Sequence, residues 1–288
     1  MQDMIDIAVG TIAMRPYVFA FFAAYLVAAV PHLGWKKVGL FTLVGYLISF
    51  SSEVCSINTG FPYGWYYYID VTSNRELWIA GVPFFDSLSY VFLAYCSYTT
   101  ALFIISPLRG WRWNLVTLET RAIRRSFAVL FLAALLQVFL DIIVDPVALQ
   151  GSRWFLGQIY GYREQGIHYG VPLSNYLGWW GVSFLMVLAL QVIDRSAGRG
   201  VQHPSGVRDI PFRALLGPVL YLSVLVFNLT MTLLIGERQM ALTGMFTYCL
   251  PTAIVVTLAI RRINRYSKEE LAEHLRDFPA SVAGRRKG

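Results

Sequence analysis

Charge is scarce in this chain. Only 14% of its 288 residues are Asp, Glu, Lys or Arg, while 56% are hydrophobic and 15% aromatic. An average soluble domain has about 25% charged residues, so composition argues against a soluble enzyme, and the mean hydropathy of +0.53 argues for a membrane protein. Cysteine is scarce as well: Cys55, Cys96 and Cys249 make no disulfide framework and show no CxxC spacing. The four histidines (His32, His168, His203, His274) form no HxxxH or HxxHH pair. A membrane di-iron hydroxylase or desaturase, which needs about eight clustered His ligands, is thereby excluded. Lysine is confined to Lys36, Lys37, Lys268 and Lys287, outside every apolar run, so a retinal Schiff base is excluded too. GxGxxG, GxxxxGK[ST], GxSxG and the paired Asp-rich motifs that hold magnesium diphosphate are also missing.

What is present is a series of apolar runs. About 20 apolar residues cross a bilayer as a helix, and seven stretches meet or approach that length: 14–33, 38–55, 84–106, 126–145, 171–193, 213–235 and 239–260. The first follows an acidic start (Asp3, Asp6) with no evident cleavage site, and reads as a retained helix. The net charge of +7 lies in short clusters between the runs, the pattern of membrane topology and not of nucleic-acid binding. Lys36, Lys37, Arg109, Arg112, Arg121, Arg124, Arg125, Arg195, Arg199, Arg208, Arg213 and everything from Arg261 onward fall on one side. Arg15, Arg75, Arg153, Arg163 and Arg238 fall on the other. The expected fold is an all-α integral membrane protein of about seven helices, N-terminus outside and C-terminus cytoplasmic. A single transmembrane domain covers 1–265, with a cytoplasmic linker at 194–212, and a charged cytoplasmic tail at 266–288 opens as a short helix. Arg124 and Arg125 read as topology signals.

Charged groups inside hydrocarbon are costly and usually functional. Glu53 ends the second span, Asp86 opens the third, and Asp141 and Asp145 end the fourth, all toward the outer side although only Lys and Arg set the topology. Asp141 and Asp145 are four apart on one helix face, where mutual repulsion favours keeping a proton between them. The outer segments NTGFPYGWYYYID (58–70) and GSRWFLGQIYGYREQGIHYGVPLSNYLGWW (151–180) combine Gly and Pro turns with Tyr and Trp. They read as a structured aromatic cap over a pocket rather than a plain interfacial belt. Asn175 and Trp179, an i, i+4 pair, can face that interior. Tyr221, Asn228 and Thr232 share a face of the sixth span and read as helix-bonding groups. Carboxyls, phenols and aromatic faces in an apolar pocket suit acid chemistry on an apolar substrate: protonation of an isolated C=C bond, with ring faces stabilising the carbocation.

The run from Glu53 through TGFPYGWYYY (59–68), the element from Asp141 to Pro146, and Trp154 followed by YGVPLSNYLGWW (169–180) resemble the CruF-type carotenoid biosynthesis proteins. These are integral membrane carotenoid 1,2-hydratases that include bisanhydrobacterioruberin hydratase and the enzymes called gamma-carotene 1'-hydroxylases. The resemblance implies addition of water, without a cofactor or metal, to the terminal isoprenoid double bond of an acyclic or monocyclic carotenoid. It implies Glu53, Asp86, Asp141 and Asp145 as catalytic acids, and Tyr66, Tyr68, Trp154, Tyr169, Asn175 and Trp179 as substrate-binding residues. The implied partners are a carotenoid or other polyisoprenoid from the lipid phase and the lipids of a bacterial or archaeal inner membrane. A membrane carotenoid or terpenoid cyclase would use the same inventory. A non-catalytic carotenoid or lipid carrier also fits, whereas a transporter is disfavoured because the polar residues gather at one end.

Overall fold

The computed structural model describes residues 2–111, 114–153, 158–196 and 212–284. Among these, seven helices are long and apolar enough to cross a membrane. They are α2 (Pro16–Leu33), α3 (Trp35–Thr59), α4 (Phe84–Ile105), α6 (Phe127–Ala148), α7 (Leu173–Ser196), α8 (Arg213–Leu234) and α9 (Arg238–Arg262). Each coincides with one of the seven apolar runs. A further helix, α1 (Gln2–Met14), precedes them, because Pro16, which lacks an N–H, fits the first turn of α2 and breaks the chain at Arg15. Short helices α5 (Arg121–Arg124) and α10 (Lys268–Asp277) complete the α-helices among the described residues, beside three single-turn 3-10 helices. Three small antiparallel ribbons, absent from the all-α expectation, lie between helices: β1 (Tyr66–Tyr68) with β6 (Tyr160–Tyr162), β2 (Trp78–Ile79) with β3 (Val82–Pro83), and β4 (Leu108–Trp111) with β5 (Asn114–Thr117).

Helix α4 is the axis of the bundle and packs against α2, α3, α6 and α8, whereas α9 is largely exposed. In water the exposed Leu43, Leu47, Leu242 and Phe246 would be a liability, but on a bilayer-facing surface they cost nothing. The second span, which the apolar count ends at 55, runs on to Thr59. It stops where Gly60 adopts a left-handed conformation that a Cβ disfavours, its N–H bonded to the Ser56 carbonyl.

The connections sort into two ends. At the cap end lie α1, residues 60–83, and 149–172 as far as they are described. Arg15 and Glu76 form a buried bidentate pair there, with contacts of 3.0 and 2.8 Å, and the guanidinium lies over the Phe85 ring. Pro146 denies the Ile142 carbonyl its helical donor, and His168 Nε2 bonds to that carbonyl at 3.1 Å, which ties the 158–172 segment to α6.

At the opposite end the tail is docked rather than free. Ser267 and Glu270 form a capping box that starts α10, His274 Nδ1 bonds the Glu119 carbonyl at 2.7 Å, and the Arg121 N–H donates to Asp277. Arg124, read from sequence as a topology charge, is buried: it pairs with Glu119 at 2.9 Å and Asp194 at 3.6 Å and lies over the Phe278 ring. Desolvation alone would raise Glu119, but the Arg124 guanidinium and His32 outweigh it and hold the carboxyl well below its ordinary range. Arg125, exposed, donates to the Asp194 carbonyl at 3.5 Å.

Candidate active site

Strand alternation builds the roof of the site. Successive side chains of a strand point to opposite faces. With Tyr66 opposite Tyr162 and Tyr68 opposite Tyr160, the β1–β6 ribbon therefore turns four phenols inward and leaves Tyr67 outside. The two strands come from loops far apart in sequence, and their pairing brings the second and fourth spans under one lid.

Beneath the lid, Glu53 from α3 accepts three hydroxyls: Tyr66 and Tyr68 (2.8 Å) on Oε2, and Tyr90 from α4 on Oε1 at 2.6 Å. The Tyr68 oxygen also contacts Oδ2 of Asp86. A phenol carries one hydrogen, so both contacts are hydrogen bonds only when one of the two carboxyls holds a proton and donates it to the Tyr68 oxygen. Across the site, Asp145 from α6 accepts Tyr160 on Oδ1 and Tyr162 on Oδ2, each at 2.7 Å. Asn175, at the start of α7, bridges the aspartates through its two amide hydrogens, 2.7 Å to Asp141 and 2.7 Å to Asp145. The Asp141 carboxyl is buried against that of Asp145, and its other oxygen accepts from no neighbouring donor.

The phenols are donors at neutral pH. Burial first, and then the neighbouring carboxylates, push the Tyr68, Tyr160 and Tyr162 hydroxyls well above the ordinary phenol range. The remaining wall is aromatic. Tyr90 stacks on Trp179 with centroids 4.2 Å apart and planes 9° from parallel, and Tyr63 tilts against both. These groups enclose a cavity of about 120 Å³, similar to the ~150 Å³ apolar cavity that accommodates one benzene. Such a volume seats a branched hydrocarbon tip. Among the described residues no group of three or more His, Cys, Asp and Glu side chains is arranged to hold a metal ion.

Of the ten residues expected at the site, Glu53, Asp86, Asp145, Tyr66, Tyr68, Asn175 and Trp179 line this cavity. Asp141 stands behind Asp145 and off the cavity wall. Tyr169 is placed elsewhere: its left-handed backbone, inside the turn closed by the Gly166–Gly170 bridge, sends its hydroxyl to Thr243 on α9 at 3.0 Å. Trp154 lies outside the described residues. Tyr90, Tyr160 and Tyr162 were not singled out from sequence. The alternation of YYY at 66–68, repeated as YGY at 160–162, is the signal that would have found the two strand tyrosines. In α8, Tyr221 bonds the Leu136 carbonyl of α6 as expected, whereas Asn228 is part of the cavity wall.

A membrane-spanning helical bundle with an acid-lined and aromatic-walled cavity at one end defines a class: an integral membrane protein with a carboxyl- and phenol-lined pocket. More narrowly, the chain belongs to the carotenoid biosynthesis protein family, whose pattern matches residues 7–251. It is 29% identical over 209 residues to the bisanhydrobacterioruberin hydratase of Haloarcula japonica, an alignment that covers 70% of this chain and 61% of that protein. The matched region is thus under two thirds of the relative's length. No solved structure matches the chain.

Proposed function

We propose that the protein is a carotenoid 1,2-hydratase, which adds water to the terminal isoprenoid double bond of an acyclic or monocyclic carotenoid. The observation that supports this reading best is the Tyr68 hydroxyl set between Glu53 and Asp86, which needs a proton on one of the two acids inside an apolar, aromatic cavity. That proton passes to the less substituted carbon of the double bond and leaves a tertiary cation. The stacked Tyr90–Trp179 pair faces the cavity, where cation–π attraction contributes about 0.5–2 kcal/mol per ring.

Water then adds to the cation and loses a proton to Asp145. Three donors, Tyr160, Tyr162 and Asn175, satisfy Asp145 as a carboxylate, which suits it to be the base that orients the water. Asp145 releases its proton to solvent and the Glu53–Asp86 pair takes one up, so that the sum breaks the π component of the C=C bond and one O–H bond of water and forms one C–H and one C–O bond. In this reading Glu53 and Asp86, two of the four acids the sequence offers, supply the proton, Asp145 is the base, and Asp141 beside it is a positioning residue. The basic end of the bundle faces the cytoplasm in this reading, with the cap outside, in a bacterial or archaeal inner membrane.

Expression in a host that accumulates an acyclic carotenoid tests the reading by mass spectrometry of the pigments. A gain of the mass of one water per modified end supports hydration. An unchanged mass with altered retention means that an internal alkene captures the cation and the protein is a cyclase. Unmodified pigment bound to the purified protein means a carrier.

A further inference from the structure

The cavity has two unlike halves. Phenols and carboxyls crowd the half under the cap. The other half is an apolar wing between α2 and α8, made by Val18, Phe21, Phe92, Leu93, Val224 and Phe227. At about 120 Å³ the whole space cannot contain a carotenoid, so a substrate with its end group at Glu53 and Asp86 must leave the bundle on some side. The wing is the side already continuous with the cavity. Its outer boundary consists of rings only half-buried: Tyr17 of α2 stacks on Phe227 of α8 with centroids 5.2 Å apart, and Phe21 meets Phe227 edge-on at 5.7 Å. Val226, next to Phe227 on α8, is exposed, so the ring pair borders the apolar surface of the bundle.

A larger apolar groove of about 850 Å³ runs between α3 and α7, floored by Gly178 and Gly181. It is walled off from the acids. Between groove and cavity stands the fully buried Tyr63 ring, its hydroxyl 2.8 Å from the Ser52 hydroxyl. A chain lying in that groove would reach the acids only by displacing this ring, whereas the half-buried rings of Tyr17 and Phe227 already border the outside of the bundle.

We propose that the α2–α8 wing is the subsite for the conjugated chain of the substrate, and that the Tyr17–Phe227 pair is the lateral door through which that chain lies out into the bilayer. The occupant is an extended polyene: flat, apolar and polarizable, it suits a slot of offset rings. The proposal rests on the reading of the protein as a carotenoid-modifying enzyme, and it assigns Val224 and Phe227 a part in selecting long substrates.

The test uses the full chain in membranes with two substrates that share one end group, a full-length acyclic carotenoid and a monoterpene-sized hydrocarbon. Two readouts are taken: hydrated product by mass spectrometry, and bound polyene by visible absorbance of the purified protein. Val224→Trp fills the wing and is expected to lower hydration and binding of the carotenoid by about tenfold or more, and hydration of the short substrate by clearly less. Gly181→Trp, whose Cβ meets nothing within 4 Å, fills the α3–α7 groove and is expected to change neither. A second variant guards against misfolding. With Cys55 and Cys249 changed to Ser, Tyr17→Cys/Phe227→Cys is bridged by a cleavable thiol cross-linker; carotenoid turnover should fall on bridging and return on reduction.

Equal losses on both substrates in Val224→Trp, a selective loss in Gly181→Trp, or full carotenoid turnover by the bridged pair each overturn the proposal. Displacement of an ordinary phospholipid, with no change in polyene binding, when the wing is filled would make the wing a lipid site and overturn it as well. If the wild type binds polyene but hydrates neither substrate, the hydratase reading fails and the binding readout alone decides the door.

Discussion

Glu53 and Asp86 share one hydrogen-bonding group. They stand on different helices, and the Tyr68 hydroxyl contacts both, 2.8 Å from Glu53 on one side and close to Asp86 on the other. With a single phenolic hydrogen, both contacts are hydrogen bonds only when one of the two acids is protonated. Tyr68→Phe removes the shared group and should lower hydration by about a hundredfold, with Glu53→Gln and Asp86→Asn losing at least as much. Product yield per unit of folded protein in a carotenoid-producing host measures it. Unchanged yield in both carboxyl variants would remove the pair from the reaction.

The two aspartates of α6 should separate in the same assay. Asp145 lines the cavity and accepts from Tyr160, Tyr162 and Asn175, whereas Asp141 contacts Asn175 and Asp145 and does not line the cavity. Asp145→Asn should lose about two to four orders of magnitude in rate, the span of a general base, and Asp141→Asn less than about tenfold. The reverse order would place the base at Asp141.

Arg15 and Glu76 are both nearly inaccessible and pair bidentately behind the Phe85 wall of the cavity. Truncating one partner strands the other charge, so Arg15→Ala should destabilise the protein by about 3–5 kcal/mol. The double variant Arg15→Met/Glu76→Leu should recover most of this. Thermal unfolding in detergent tests it, and a double variant no better than the single one would show that the pair's value lies in more than mutual neutralisation.

Docking of α10 should depend on pH. Burial lowers His274 below its ordinary 6.5, against the opposing influence of the Glu119 carbonyl and carboxylate, while Arg124 and Arg213 add to the lowering. A histidine kept neutral in the fold takes up its proton more readily once undocked. The stability it contributes is therefore complete above pH 6.5 and is lost as pH falls from there through the folded value. Hydrogen exchange across 268–284 should accelerate below pH 6.5 in the wild type, and His274→Gln should flatten that dependence. Pairing of Glu119 with Arg124 gives way only at lower pH, because its carboxyl is held below its ordinary value.

Much of this molecule could be read from its residues, and the unread parts share a cause. Hydropathy located all seven spans because bilayer crossing is a local property of twenty-odd residues. Helix α1 escaped because its apolar part, Ile5–Met14, is too short to cross. Glu53, Asp86 and Asp145 stood out as charges in apolar runs, whereas Tyr90 looked like any aromatic within a span. Tyr160 and Tyr162 became visible only when β6 paired with a strand far away in the chain. Asp141 and Asp145 share a helix face, yet only the position of α7 decides which one the cavity meets. Tyr169 failed for a backbone reason, the left-handed turn between Gly166 and Gly170. Arg124 counted correctly toward one end of the bundle, but its burial against Glu119 and Asp194 depends on three segments that meet only in the fold.

In the proposed reaction water, and no other oxygen source, adds to an enzyme-bound carbocation. Cells that make the substrate and express the protein should be grown in heavy-oxygen water under ordinary oxygen gas, and the hydroxylated pigment weighed. One heavy oxygen per new hydroxyl is the expected result. Hydroxyls that carry oxygen from the gas, or a product with no added oxygen at all, would contradict the account.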